Sequence, residues 1–163
     1  GSGGKNVFLI NKDNQQNLKQ TVEAIARDGY VIGQEYLPEA ARGDIRFFLL
    51  NGEPILINGK YAAVHRVQQG DEIRSNVHQG AKTQGAVISA ELLGMVDKIK
   101  DKLIQDGMYF VGLDVVGNRI MEINVFSPGA LCQAEEILNE DFSGFIINKL
   151  EEKLVASKKL SLK

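Results

Sequence analysis

At 163 residues the chain is long enough for one domain and too short for two of ordinary size. Apolar residues at 44% and charged residues at 25% are normal for a globular protein with a real core. The balance of 19 Lys and Arg against 21 Asp and Glu argues against nucleic-acid binding by bulk charge and against a polybasic membrane binder. No apolar run approaches the roughly 20 residues of a membrane span. The lone cysteine, Cys132, forbids an internal disulfide and fits a reducing, cytoplasmic setting. With no histidine near it in sequence, Cys132 is expected to be a buried, inert thiol.

The opening Gly1-Ser2-Gly3-Gly4 has two readings. It is either a cloning remnant or a glycine-rich loop whose unhindered N–H groups approach phosphate oxygens. On the second reading the chain starts inside a functional loop and is a piece of a longer protein. A strand is expected over Val7 to Ile10. Leu18, Val22, Ile25 and Ala26 repeat at helical spacing until Gly29. Tyr30 to Leu37 reads as a strand ended by Pro38. Ile45 to Leu50 and Pro54 to Ile57 read as strands joined at the hairpin dipeptide Asn51-Gly52. Another strand is expected over Tyr61 to Val67, then a long polar loop over Gln68 to Gly85. Ser89 can cap a helix with the apolar stripe Leu92, Val96, Ile99 and Leu103. Strands over Tyr109–Val116 and Ile120–Phe126 follow, then helices over Ala130–Leu138 and Ser143–Ala156. The Lys-rich end reads as a solvated terminus. Hairpins mixed with helices indicate an α+β fold, a mainly antiparallel sheet with flanking helices.

Side-chain alternation puts Glu122 and Asn124 on one strand face and Met121, Ile123 and Val125 on the other. A three-residue loop at Gly117-Asn118-Arg119 would set Asp114 opposite Glu122, Val115 opposite Met121 and Leu113 opposite Ile123. A two-residue loop would mix the faces, so burial of one face selects the first register. Carboxylates on directly opposed residues repel, and one takes up a proton unless a cation lies between them. Oxygen ligands without His or Cys suit a hard cation such as Mg²⁺. A solvated sheet face is the plainer reading of the same charges. Asp44, Arg46, Arg66, Arg74 and Asn76 are equally open: separate solvated groups, or together a cationic cleft for phosphates and carboxylates. His65 reads as a half-buried strand residue and His78 as a loop-surface one.

These residues together resemble a family. Gly1-Ser2-Gly3-Gly4 before Val7-Phe8, Gln34-Glu35-Tyr36-Leu37-Pro38, Gly43-Asp44-Ile45-Arg46, Asn51-Gly52-Glu53-Pro54, and Gly112-Leu113-Asp114 with Glu122-Ile123-Asn124-Val125 are similar to the C-terminal part of a prokaryotic-type glutathione synthetase, an ATP-grasp ligase. The resemblance runs to about Leu154. It implies an N-terminally truncated ATP-grasp lid over residues 1–37 and the catalytic, metal-binding subdomain over 38–163. It implies phosphate contacts from Gly1, Gly3 and Gly4. Adenine would lie against Gln34, Glu35, Tyr36 and Leu37, with the backbone of Glu35 and Leu37 in contact. Ribose would be held by Asp44 and phosphate by Arg46. Substrate contacts would come from Arg66, Arg74, Asn76, Ser127, Pro128 and Gly129, and catalytic stabilisation from Arg46 and Arg66. Mg²⁺, with Mn²⁺ as its substitute, would sit at Asp114, Glu122 and Asn124. The implied reactants are ATP, γ-glutamylcysteine and glycine, and the implied full-length enzyme is a homo-oligomer. The stretch around Asn58-Gly59-Lys60 is longer than in the family. Another ATP-grasp peptide ligase and a non-catalytic nucleotide-binding module stay open as alternatives.

Overall fold

The computed structural model describes residues 6–67 and 82–161. Helix α1, Leu18–Ala26, follows a single 3-10 turn at Gln15–Asn17. A second 3-10 turn, Pro38–Arg42, uses Pro38 at its start, where the missing N–H costs nothing. Strands β1 (Asp44–Leu50), β2 (Glu53–Pro54), β3 (Leu56–Ile57), β4 (Lys60–Tyr61), β5 (Ala63–Val67) and β6 (Lys82–Gly85) follow. Then come α2 (Ala90–Gln105), β7 (Phe110–Val116), β8 (Arg119–Asn124), α3 (Leu131–Leu138) and α4 (Phe142–Ser161). The main sheet has the order β6-β5-β1-β7-β8, with β2 paired to the last two residues of β1, Leu49 and Leu50, and every pairing is antiparallel. This is the expected α+β architecture. Among the described residues no helix is long and apolar enough to cross a membrane.

The sheet is covered on both faces. Phe47 and Leu49 of β1 and Val111, Leu113 and Val115 of β7 pack against Leu92, Val96 and Leu103 of α2. Ser89 caps that helix, its Oγ accepting the Leu92 N–H at 3.2 Å. On the opposite face Phe48 and Leu50 pack with Ala134 of α3 and Phe142 and Ile146 of α4. The Phe48 and Phe110 rings stack there with centroids 5.9 Å apart.

The expected hairpin dipeptide adopts a left-handed backbone, Asn51 at φ +52° with Gly52 at +78°, and a second Asn-Gly pair that was not expected as a turn does the same, Asn58 at +50° with Gly59 at +78°. The second pair turns β3 into β4, so the longer stretch around Asn58 is a small hairpin. It is fastened by Lys60 Nζ to Glu140 at 2.7 Å and Asn58 Nδ2 to Glu140 at 2.9 Å.

Several expectations fail for identifiable reasons. Val7–Ile10 and Tyr30–Leu37 have the composition of strands but join no ladder among the described residues. Composition makes a strand only where another backbone supplies hydrogen bonds. The expected loop over Gln68–Gly85 ends in β6, where Lys82–Gly85 pairs with Val64–Val67. Residues 68–81 lie outside the described residues. The final helix runs to Ser161 rather than Ala156. Cys132 is exposed, not buried. Ala134 and Leu138 of α3 face the core together with Leu131, and the next position, Cys132, is turned about 100° away from that face.

Candidate functional site

The candidate site lies on the α3–α4 face of the sheet, beyond the end of its apolar half. Alternation along β1 puts Asp44, Arg46, Phe48 and Leu50 on this face, and register does the rest. Asp44 pairs with Arg66 of β5, Arg46 with Asp114 of β7, and Asp114 with Glu122 of β8. Two basic and three acidic side chains thus meet across four neighbouring strands.

The expected turn at Gly117-Asn118-Arg119 is shorter than three residues. Val116 pairs with Arg119 and Val115 with Ile120, and the register shifts between Asp114 and Val115. Met121 is the extra residue of a β-bulge, so Val115 does not face it. Beyond the bulge Asp114 faces Glu122, Leu113 faces Ile123 and Gly112 faces Asn124. The polar trio therefore keeps one face, although by a different turn from the one expected.

Asp44, Arg46, Arg66 and Asp114 are all buried, at 5–7% exposure. Arg46 grips Asp114 with both arms of its fork, Nε to Oδ1 at 2.5 Å and Nη2 to Oδ2 at 2.9 Å. Its Nη1 donates to the Gly129 carbonyl at 3.1 Å. Arg66 donates from Nε to Asp44 Oδ1 at 3.1 Å and from Nη2 to Asp44 Oδ2. The same Nη2 lies 2.9 Å from Asp114 Oδ2. Burial works against the charged form of Arg66. The hydrogen bond donated to Asp44 and the charges of Asp114 and Asp44 outweigh it, holding the guanidinium above its ordinary value. The four charges cancel in number.

This network corrects the electrostatic expectation for Asp114. The charge opposing Asp114 is supplied by two guanidiniums, so repulsion between Asp114 and Glu122 does not by itself demand a metal ion. The donor set still fits a hard cation in part. Glu122 is exposed on the same face. Asn124 Nδ2 donates to the Gly112 carbonyl at 3.2 Å, which leaves Oδ1 as its outward oxygen. Asp114 accepts from Arg46 and Arg66, and of the roughly four acceptor positions of a carboxylate about one remains. Among the described residues no cluster of three or more His, Cys, Asp and Glu side chains is placed to hold a metal. An oxygen site here therefore depends on Asn124 as a ligand.

Other expected residues are spread around this centre. Gln34 and Glu35 reach β8: Gln34 Nε2 lies 3.4 Å from the Met121 carbonyl, and Glu35 pairs with Arg119 at 2.9 Å. Tyr36 is exposed and Leu37 buried. The Leu37 carbonyl accepts the Ala40 N–H at 2.9 Å, so that oxygen is already engaged. Ser127 is held at φ +52° and Pro128 is buried beside the site. Gly1, Gly3, Gly4, Arg74, Asn76 and His78 lie outside the described residues. His65 is a cross-link, Nε2 to the Arg42 carbonyl at 2.9 Å and Nδ1 to Gln84 Nε2 at 3.0 Å.

Gly43 and Gly112 escaped the sequence reading as site residues. Gly43 takes φ +95°, and a Cβ there would overlap the Arg66 carbonyl oxygen. A glycine inside the apolar run of β7 was the available signal for Gly112, because such positions mark close approach.

The family model described as prokaryotic glutathione synthetase, ATP-grasp domain, matches residues 1–139. A glutathione synthetase of Prochlorococcus marinus is 32% identical over 154 residues, covering 93% of this chain and 48% of the relative. One from Thermosynechococcus vestitus is 36% identical over 139 residues, covering 84% and 42%. One from Agrobacterium fabrum is 32% identical over 155 residues, covering 94% and 46%. The chain thus spans about half the length of the curated relatives it matches. With the match covering most of its length, the chain belongs to the prokaryotic glutathione synthetase ATP-grasp family.

Proposed function

We propose that the chain is the metal- and phosphate-binding part of an ATP-dependent carboxylate–amine ligase, a glutathione synthase joining γ-glutamylcysteine and glycine. The observation that carries the reading is the shared position of Asp114. It lies against Arg46 and Arg66 on one side and faces Glu122 on the other, within a member of this family.

In this reading Arg46 and Arg66 meet the phosphate oxygens and the acyl phosphate formed when the substrate carboxylate attacks the γ-phosphate of ATP. ADP leaves in that step. The glycine amine then attacks the acyl carbon, and phosphate leaves as the amine loses its proton. Both steps develop negative charge on oxygen, and fixed guanidiniums stabilise it without reorganising. The ion pairs to Asp44 and Asp114 hold the forks in place before substrate arrives. Glu122, Asn124 Oδ1 and the remaining acceptor position of Asp114 would hold Mg²⁺ or Mn²⁺. When bound, that ion would supply positive charge to offset the charge of phosphate oxygens. Asp44 takes the ribose role only by sharing its oxygens with Arg66, which already occupies both. Residues 1–37 belong to the lid and Gln34 to Leu37 line the adenine side. Ser127, Pro128 and Gly129, with Arg74 and Asn76, serve the substrate end.

The test is ADP release in a protein carrying this chain together with the remaining length found in its relatives. Dependence on both γ-glutamylcysteine and glycine is expected, with Glu122→Gln abolishing turnover while the fold survives. Near-normal turnover in Glu122→Gln removes the metal role. Release driven by a different carboxylate or amine replaces the substrate assignment.

A further inference from the structure

We infer that Gly112 is a positioning residue for Arg46, and through it for the junction between the phosphate end and the substrate end of the site. The inference rests on the proposed phosphate role of Arg46. A Cβ on Gly112 would stand 2.8 Å from the Pro128 Cβ, 2.9 Å from the Arg46 Cδ and 3.5 Å from the Arg46 Nε. Gly112 does not have the left-handed backbone that makes glycine necessary at Gly43 or Gly117. Its backbone is that of an ordinary strand residue, where glycine weakens the strand. What the position needs is space.

Two bodies fill that space. Pro128 is buried and its ring is rigid. Arg46 lies across β7 to reach Asp114 and the Gly129 carbonyl together. The Gly112 carbonyl also accepts from Asn124, so this one residue touches three of the groups assigned to the site. A methyl group here displaces the more flexible neighbour, the Arg46 stem. That movement breaks the paired hydrogen bonds to Asp114 and the contact with Gly129. Arg66 supplies none of the three atoms nearest the added Cβ, and its own bonds run to Asp44 on the neighbouring strand.

This asymmetry supplies the test. In ligand-free protein labelled with ¹⁵N-arginine, the Nε–H resonances of Arg46 and Arg66 are assigned with Arg46→Lys and Arg66→Lys. Gly112→Ala is expected to cut the exchange protection of the Arg46 Nε–H by about tenfold or more while leaving that of Arg66 unchanged. General loosening of the fold would move both. Equal loss at both sites, or no change at Arg46 in a folded variant, overturns the inference. If Gly112→Ala does not fold, Gly112→Ala with Pro128→Gly removes the harder contact and keeps the one to Arg46. Selective loss at Arg46 is again expected, and retention there overturns the inference. Failure of both variants to fold assigns Gly112 to packing and also overturns it. Because no ligand is present, the result is independent of the phosphate role, which ATP affinity of Arg46→Lys tests separately.

Discussion

The two faces of the sheet are built from the same strands and held by different physics. On the α2 face, Phe47, Leu49, Leu113 and Val115 meet Leu92, Val96 and Leu103, and the cohesion is non-directional burial of apolar area. On the opposite face the apolar half, Phe48 and Leu50 under Phe142 and Ile146, gives way to Asp44, Arg46, Arg66 and Asp114. A buried ion network is poor evidence of stabilisation, since apolar residues of similar volume often serve as well or better. Its presence at one end of an otherwise apolar layer therefore points to function. The apolar face can be repacked, whereas the charged face does not tolerate losing one partner.

That contrast is sharpest at Asp114. Asp114→Ala leaves Arg46 and Arg66 without their shared counter-charge, and a loss of about 3–5 kcal/mol in urea unfolding is expected. Phe47→Leu, a modest change of shape on the other face, is expected to cost less, about 1.5 kcal/mol. Reversal of that order would break the comparison. Next in size is Gly43→Ala, which combines an unfavourable left-handed backbone with overlap on the Arg66 carbonyl. About 1–3 kcal/mol is expected, with the Arg66–Asp44 pair disturbed before the α2 face. Arginine side-chain exchange would show that order, and an undisturbed Arg66 would contradict it.

The smallest effect lies away from both faces, at the β3–β4 hairpin. Hydrogen bonds from Lys60 and then Asn58 hold the Glu140 carboxyl below its ordinary value. A lowered folded value means the clasp contributes fully above the unfolded pKa of about 4.3. That contribution is lost as pH falls through the folded value. Amide protection in Leu56–Tyr61 is expected to hold steady from neutral pH to about 5 and to decline below about 4.3. Glu140→Gln should remove this pH dependence. A wild-type hairpin equally protected across the whole range would sink the assignment.

Much of this arrangement was legible in the sequence wherever its cause is local. The Asn51-Gly52 turn, the Ser89 cap and the Leu92–Val96–Leu103 stripe need only neighbouring residues to specify them. The Asp114–Glu122 pairing was legible as well from side-chain alternation, but the expected reason for it does not hold, because Ile123 and Val125 on the apolar strand face are exposed rather than buried. The bulge at Met121 was not legible, since two turns of different length reach the same outer register. Tyr30–Leu37 misled because strand composition cannot say whether a partner exists. The grip of Arg46 on Asp114 joins residues 68 positions apart on strands that are not sequential neighbours, so no local pattern encodes it. Cys132 shows a limit of composition: residue type favoured burial, but its place on α3 decided otherwise.

The central claim is that the charged face binds nucleotide and divalent cation together through Asp114, Glu122 and Asn124. Calorimetric titration of this chain with ATP and Mg²⁺, side by side with Glu122→Gln, tests it most directly. The account predicts measurable binding by the wild-type chain and affinity at least about tenfold weaker in the variant, with unchanged thermal unfolding. Equal affinity in the two proteins, or no binding by either, would contradict it.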